Sequence, residues 1–253
     1  MVRGDERRRV IVARLRQGQR VEVAAVAAET GASEMTVRRD LDALAATGVL
    51  RRVHGGAVAA TPGSVEQPFA TRATAGVEAK RRIAAAVAAM VRDAEVVVLD
   101  SGTTAVQVAK ALRGRPVTVM PLSLHAAREL LDDPQARVLM CGGQPRRGEW
   151  ALTGPLAVAS LRAVRFDVAV ISPCGFDTAT GLTAVDLDDA QVKQEAMAAA
   201  GRVLAAVDGG KWGHTAMARI CPADRVDVLV TDDTAPAADR AELAGMGVTI
   251  HVC

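Results

Sequence analysis

The chain has 253 residues, a formal net charge of +2, half its residues hydrophobic and only three Phe, two Trp and no Tyr. That length has room for one small and one larger domain, with a core built from Val, Leu, Ile and Ala. The four cysteines form no C-x-x-C pair, which argues against a zinc ribbon or disulfide scaffold, and the longest apolar stretch, 83–99, is broken by Arg92, Asp93 and Glu95, which argues against a membrane span.

The charge is uneven. Residues 1–57 carry eleven Arg against seven acids, net +4, and the remainder is net −2. A basic head on a slightly acidic body suits a nucleic-acid partner at the head. The opening run Met-Val-Arg-Gly-Asp-Glu-Arg-Arg-Arg lacks the apolar centre of a signal peptide, so a cytoplasmic location is expected.

A first helix is predicted over 5–16, with Val10, Ile11 and Leu15 as its apolar positions and Gly18 ending it. Val21 is strand-like. A short Ala-rich helix follows over 23–30, and Gly31 supplies the positive φ that a sharp turn between helices wants. Ser33 stands where an N-cap belongs and Glu34 complements the dipole of the next helix. In that helix Val37, Leu41, Leu44 and Ala45 form a buried stripe, while Ser33, Thr36, Arg38, Arg39 and Asp40 fall away from it. Gly48 closes it as a C′ residue. A strand over 49–53 and a turn at His54-Gly55-Gly56 lead into Ala57-Val58.

Three helices and a hairpin make a winged helix-turn-helix over 1–58, a small α+β domain whose second paired helix enters the major groove of double-stranded DNA. The candidate DNA-binding residues are Ser33, Thr36, Arg38, Arg39, Arg51, Arg52 and His54. Ser33 serves as a cap and lies where a groove contact would be. The two helix arginines reach either a guanine edge or a phosphate. Asp40 reads as a salt-bridge partner that orients an arginine. The run 33–44 together with Arg52-Val53-His54-Gly55-Gly56-Ala57 resembles the N-terminal domain of DeoR-type bacterial transcriptional regulators. The resemblance implies a supporting helix at 23–30, a recognition helix at 34–47 and a wing at 51–58.

Residues 59–75 read as a linker, with Thr61-Pro62-Gly63-Ser64 and Gln67-Pro68. Phe69 within it is expected to dock on the body.

From 76 to 253 a helix over 80–91 precedes alternating strands and helices. Strands are predicted at 96–99, 117–120, 137–140, 167–171, 202–207, 226–230 and 248–252, and helices at 104–113, 124–131, 155–162, 187–200 and 236–245. Apolar strands without alternation, set between helices, predict a larger α/β, Rossmann-like domain: a parallel sheet covered on both faces. Ligands of such sheets bind at the carboxyl ends of the strands.

Five loops at those ends are candidates for effector binding. Asp100-Ser101-Gly102-Thr103-Thr104 offers hydroxyls, a glycine and a helix N-terminus to an anion. Ser123, Gly142-Gly143, Gly175 with Asp177, and Asp208 with Lys211 follow other strands, and Lys193 adds charge. A Walker-type loop ending at Gly210-Lys211 needs a glycine where Ala205 stands, and Gly142-Gly143 does not extend to G-x-G-x-x-G. A small phosphorylated metabolite fits better than ATP or NAD, and no cofactor or metal is expected. An enzyme reading, a phosphosugar isomerase carrying a DNA-binding head, would need an acid and a base over the sugar carbons. Asp177 is the first candidate for that work and Glu195 a distant second.

The body motifs 100–104, 142–143, Gly175, Gly181, Lys193, 208–213 and Thr231-Asp232 resemble the DeoR-type sensor domain, whose fold is similar to ribose-5-phosphate isomerase. The resemblance implies a repressor of carbohydrate-metabolism genes controlled by a phosphosugar held by the 100–104 loop and Lys211, and a homo-oligomer, dimer or tetramer, is expected because paired half-sites give a short reader its specificity. Two positions depart from the family pattern. Pro121-Leu122-Ser123 replaces a usual Thr-Asn-Ser, and Gly210 precedes the lysine where serine is frequent.

Overall fold

The computed structural model describes residues 4–16, 20–46, 50–53, 55–59 and 67–253. The chain forms two compact units, Met1–Gln67 and Pro68–Cys253.

The first unit contains α1 (Gly4–Arg16), β1 (Val21–Glu22), α2 (Val23–Thr30), α3 (Glu34–Ala46), β2 (Leu50–Val53) and β3 (Gly56–Ala59). The three strands form an antiparallel sheet in the order β1-β3-β2. Ile11, Leu15, Val21, Val26, Val37, Leu41, Leu50 and Ala57 are buried together, so the apolar stripe of α3 closes the core as its spacing predicts. Leu44 and Ala45 pack at the edge of this cluster. Gly31 ends α2 at φ +64°. In the hairpin, Gly56 is required by close approach: a Cβ there would meet the Val21 carbonyl oxygen at 2.0 Å. The helix-ending roles expected for Gly18 and Gly48 fall outside the described residues.

The second unit opens with α4 (Phe69–Thr74) and α5 (Val77–Met90). The linker expected over 59–75 therefore needs correction, because α4 occupies its final third. Pro68 stands at the N-cap of this six-residue helix, which at fewer than two turns is too short to show a helical period. Then follow β4 (Val96–Leu99), α6 (Thr103–Ala111), β5 (Thr118–Pro121), α7 (Leu124–Leu130), β6 (Arg137–Val138), β7 (Gln144–Pro145), β8 (Leu152–Thr153), α8 (Pro155–Arg162), β9 (Phe166–Ile171), β10 (Gly175–Asp177), β11 (Gly181–Ala184), α9 (Leu187–Ala198), β12 (Ala200–Ala206), β13 (Ala218–Cys221), β14 (Val228–Thr231), α10 (Ala237–Gly245) and β15 (Thr249–Val252).

Seven of these strands form one parallel sheet in the order β15-β14-β12-β9-β4-β5-β6. They are the seven strands predicted from apolar runs. Successive residues of β4 feed opposite cores: Val97 and Leu99 pack with α5, α6 and α7, while Val98 packs with α8, α9 and α10. Burial on both faces explains the lack of polar alternation in the sequence. Two features were not foreseen, an antiparallel sheet β10-β11-β13 and a short hairpin β7-β8.

The strand order places the candidate loops. From β4 the chain runs outward through β5 and β6, then returns to β9 and runs the other way through β12 and β14. The β4/β9 boundary is the topological switch point, where open α/β sheets leave a crevice. The loop after β4 opens there. No described helix is long and apolar enough to cross a membrane.

Candidate nucleic-acid and effector sites

In the first unit, Ser33 precedes α3 and its Oγ accepts the Thr36 N–H at 3.2 Å, the N-cap geometry expected. The Ser33 and Thr36 hydroxyls also share a hydrogen bond of 2.8 Å. Arg38 is exposed and pairs with Glu34 one turn back, Nη2 to Oε2, at 3.3 Å. Arg39 is exposed, and no described residue is within bonding distance of its guanidinium. Asp40 is buried and takes two arginines of α1, Arg7 Nε at 2.5 Å and Arg8 Nε at 3.1 Å. Those bonds tie α1 to the back of α3 and fix the direction in which its front faces. Arg52 on β2 reaches Asp42 of α3, Nε to Oδ1, at 3.1 Å, so it braces the hairpin against the helix. Arg51 lies in β2 opposite Val58. Its side chain and all of His54 fall outside the described residues. The result is a helix start that is self-capped and cationic on its exposed side, the form that suits phosphates and base edges of a duplex.

In the second unit, β4 ends at Leu99 and α6 begins at Thr103. Gly102 is the N-cap at φ +96° and offers no side chain, so the first N–H groups of α6 are left for another acceptor. Thr103 and Thr104 are 6% and 3% exposed, and neither hydroxyl has a partner among the described residues. Helix dipole, N–H groups and unsatisfied hydroxyls at one point make an anion site.

The loop stands on a buried ion cluster. Both Asp100 carboxylate oxygens accept from Lys193 Nζ of α9 at 2.6 Å, and they also accept the N–H groups of Ser101 at 2.6 Å and Ser172 at 2.7 Å. Ser172 follows β9, so Asp100 staples the two strands at the switch point. Asp189 lies 3.4 Å from Lys193 Nζ. Burial alone would lower the Lys193 ammonium, but the Asp100 and Asp189 carboxylates reverse this and hold it protonated, above its ordinary range. This departs from the sequence expectation. Lys193 and Asp100, both buried, neutralise each other beneath the loop rather than offering a free charge to a ligand.

The other candidates divide. Ser123 is fully buried and caps α7 by accepting the His125 N–H at 3.1 Å. Gly142 donates its N–H to Ser160 Oγ at 3.0 Å. Gly143 has φ +120°, and a Cβ there would meet the Thr153 carbonyl oxygen at 2.7 Å, so it is a packing glycine of the β7-β8 hairpin. Gly175 lies in β10 against His214. Asp177 Oδ1 accepts the N–H groups of Ala179 and Thr180, which closes the β10-β11 turn. Glu195 pairs with Arg162 at 2.5 Å. Asp208 caps the 3-10 turn Gly209–Lys211, which Asp232 steadies by accepting the Gly209 N–H at 2.7 Å. Leu122, one of the departures from the family pattern, is packed in the core, so the side chain at this position serves packing rather than polar contact.

One site residue escaped the sequence reading. Arg72 of α4 lies over the loop: a Cβ placed on Gly102 would be 3.8 Å from its Nη1. Its Nη2 pairs with Glu149, and its plane lies 6.0 Å from the Phe69 ring centre. Phe69 docks on the body as expected, stacked on His125 at 3.9 Å, with His125 stacked on Trp150 at 4.7 Å. Burial lowers His125 below the ordinary histidine range, and Arg128 lowers it further. Lys80 of α5 donates to the Arg72 and Ala75 carbonyl oxygens at 2.6 and 2.7 Å and so anchors the end of α4. Burial lowers its ammonium, Asp208 opposes this, and Lys211 and Arg72 add to it. Lys80 thus lies within electrostatic reach of Arg72, Asp208 and Lys211, and Arg72 is the one of these that lies against Gly102. Among the described residues no group of three His, Cys, Asp or Glu side chains is placed to hold a metal.

Two family models match the chain: the DeoR-like helix-turn-helix domain over residues 7–62 and the DeoR C terminal sensor domain over 75–233. Among curated relatives, a putative aga operon transcriptional repressor of Escherichia coli O157:H7 is 30% identical over 97% of this chain and 93% of its own length. The HTH-type transcriptional regulator GlpR of Haloferax volcanii is 30% identical over 97% of this chain and 96% of its own. The glycerol-3-phosphate regulon repressor of Escherichia coli K12 is 28% identical over 87% and 88%. Among solved structures, ribose 5-phosphate isomerase A of Methanocaldococcus jannaschii covers 55% of each chain at 16% identity, with a TM-score of 0.42.

Proposed function

The chain belongs to the DeoR family of transcriptional regulators, and from that premise we propose that it represses carbohydrate-metabolism genes by binding operator DNA as a cytoplasmic homo-oligomer under the control of a phosphorylated sugar. The carrying observation is the uncapped start of α6 at the switch point, where the Thr103 and Thr104 hydroxyls have no partner among the described residues and Arg72 lies over Gly102. A phosphate monoester presents about −1.5 to −2 charge and three acceptor oxygens, which matches N–H groups, hydroxyls and cations converging on one spot. Relatives named for an aga operon and for a glycerol-3-phosphate regulon support a sugar-derived phosphate as the ligand. Lys211, on the neighbouring loop, supplies further positive charge.

DNA contact falls to Ser33, Thr36, Arg38 and Arg39 at the start of α3, with phosphates contributing much of the affinity and a steep salt dependence. Paired half-sites give a short reader its specificity, which is the reason to expect an oligomer. The test is a screen of phosphorylated sugars by thermal shift and by release of a duplex selected from a randomised pool. At least one compound is expected to raise the melting temperature and change DNA affinity. Thr103→Val and Lys211→Ala are expected to keep DNA binding and blunt that response. Unchanged responses in both variants would move the effector site elsewhere.

A further inference from the structure

Arg72 meets an anion before any ligand arrives. Its guanidinium, 14% exposed, is paired with the Glu149 carboxylate, 9% exposed, from the loop between β7 and β8. The same guanidinium packs on Gly102, the N-cap of the anion-binding helix. Resting on the reading that the 101–104 loop takes a phosphate group, we propose that Glu149 is a resident counter-anion of Arg72 and that the phosphate of the effector takes its place.

Both partners stand on held backbone. Arg72 belongs to a helix pinned at both ends: Lys80 holds the Arg72 and Ala75 carbonyls, and Phe69 is clamped in the stack with His125. Glu149 belongs to the turn between β7 and β8, where its N–H and that of Trp150 are donated to the Arg146 carbonyl oxygen, and Trp150 has φ +53°, a conformation that a bulky side chain rarely takes. Strained residues of this kind cluster at ligand-binding sites. The backbone on both sides of the pair is held, so the exchange moves the Glu149 side chain about its own torsions and leaves the guanidinium beside Gly102.

Charge then selects the ligand. A carboxylate or a sulfate monoester carries a single negative charge, so exchanging it for Glu149 trades like for like. A phosphate monoester carries nearly twice that charge, and its oxygens reach Arg72, the α6 N–H groups and the Thr103 hydroxyl together. The exchange discriminates for phosphorylated compounds even where the rest of the molecule is the same. It also gives the ligand a mechanical consequence, since Glu149 adjoins the Trp150 ring that closes the stack on Phe69, the first residue of α4.

Calorimetry of inorganic phosphate binding to the full chain tests the exchange. Glu149→Gln removes the competing anion and keeps its shape, and is expected to tighten phosphate binding roughly tenfold, the worth of one charge-assisted hydrogen bond no longer broken. In an Arg72→Gln background the same change is expected to gain nothing, because the competition is for that guanidinium. A gain that persists without Arg72, or no gain in Glu149→Gln, overturns the exchange. Failure of both the wild-type chain and Glu149→Gln to bind phosphate instead overturns the anion-site reading, and the exchange with it. A measurement on the unaltered protein guards against a variant that does not fold. Trp150 is half exposed and Trp212 buried, so acrylamide quenching reports on Trp150. Quenching is expected to change as phosphate saturates the site, and constant quenching at saturation contradicts the proposal.

Discussion

Two helix starts in this protein face opposite tasks with the same backbone chemistry. At α3 the orphan N–H groups are met from within: Ser33 caps the helix, Glu34 lies in its first turn, and Arg38 and Arg39 project to solvent. At α6 the cap is a glycine, the flanking Thr103 and Thr104 are buried with no hydroxyl partner among the described residues, and Arg72 stands beside the opening rather than on the helix front. A self-satisfied end with exposed arginines suits a long polyanion approached from outside. An unsatisfied end sunk in a crevice suits one small anion that enters it. The identity of the capping residue, Ser33 or Gly102, decides whether the helix end is finished or waiting.

The ion pairs divide along the same line. Beneath α3, Asp40 gathers Arg7 and Arg8 to orient a surface. Beneath α6, Asp100, Asp189 and Lys193 are all buried and support a pocket floor. Breaking the second cluster is expected to have the largest effect of any change considered. Lys193→Met leaves two carboxylates buried without their cation, a loss of about 3–5 kcal/mol for a broken buried pair. Thermal unfolding should show the second unit melting earlier. A melting temperature within a degree or so of wild type would mean the cluster is not what holds the loop.

The next effect belongs to the head. Arg39→Ala is expected to weaken binding to a selected duplex by about 1–3 kcal/mol if the side chain meets a base edge. If it meets a phosphate, the slope of log K against log salt is expected to fall by about one unit. Arg38→Ala should cost less, because that arginine is already engaged with Glu34. Equal affinities for wild type and both variants would remove α3 from the DNA interface. The smallest effect is Ser33→Ala, about 1 kcal/mol of stability for a lost N-cap, read by denaturant unfolding. Gly102→Ser sharpens the contrast from the other side: a serine there would supply the missing cap and compete with the anion, at a position whose φ of +96° strains it. Phosphate affinity, measured by calorimetry, should fall while DNA affinity stays near wild type.

Much of this was legible in the sequence. The seven parallel strands stand out because each is buried on both faces and so reads as an unbroken apolar run, as in Val96–Leu99. Helix α3 stands out because its stripe and its cap agree. The sheet β10-β11-β13 was hidden because its strands carry no β-branched run: β10 reads Gly-Phe-Asp and β11 reads Gly-Leu-Thr-Ala. The loop Asp100–Thr104 was visible through its composition, but its position at the switch point depends on strand order. The partners of its neighbours were not visible at all. Arg72 and Glu149 are 77 residues apart and Asp100 and Lys193 are 93 apart, and nothing local links either pair. Sequence marked the groups that carry charge and left open which of them neutralise one another.

The central claim is that an anion at the start of α6 alters what the start of α3 does. Its most direct test is thermodynamic reciprocity, with the phosphorylated sugar that scores highest in the thermal-shift screen and the duplex selected by the protein. The affinity for DNA is measured with and without saturating sugar, and the affinity for sugar with and without saturating DNA. The account predicts that both change, and by the same factor. Tight binding of the sugar with no change in DNA affinity would contradict it.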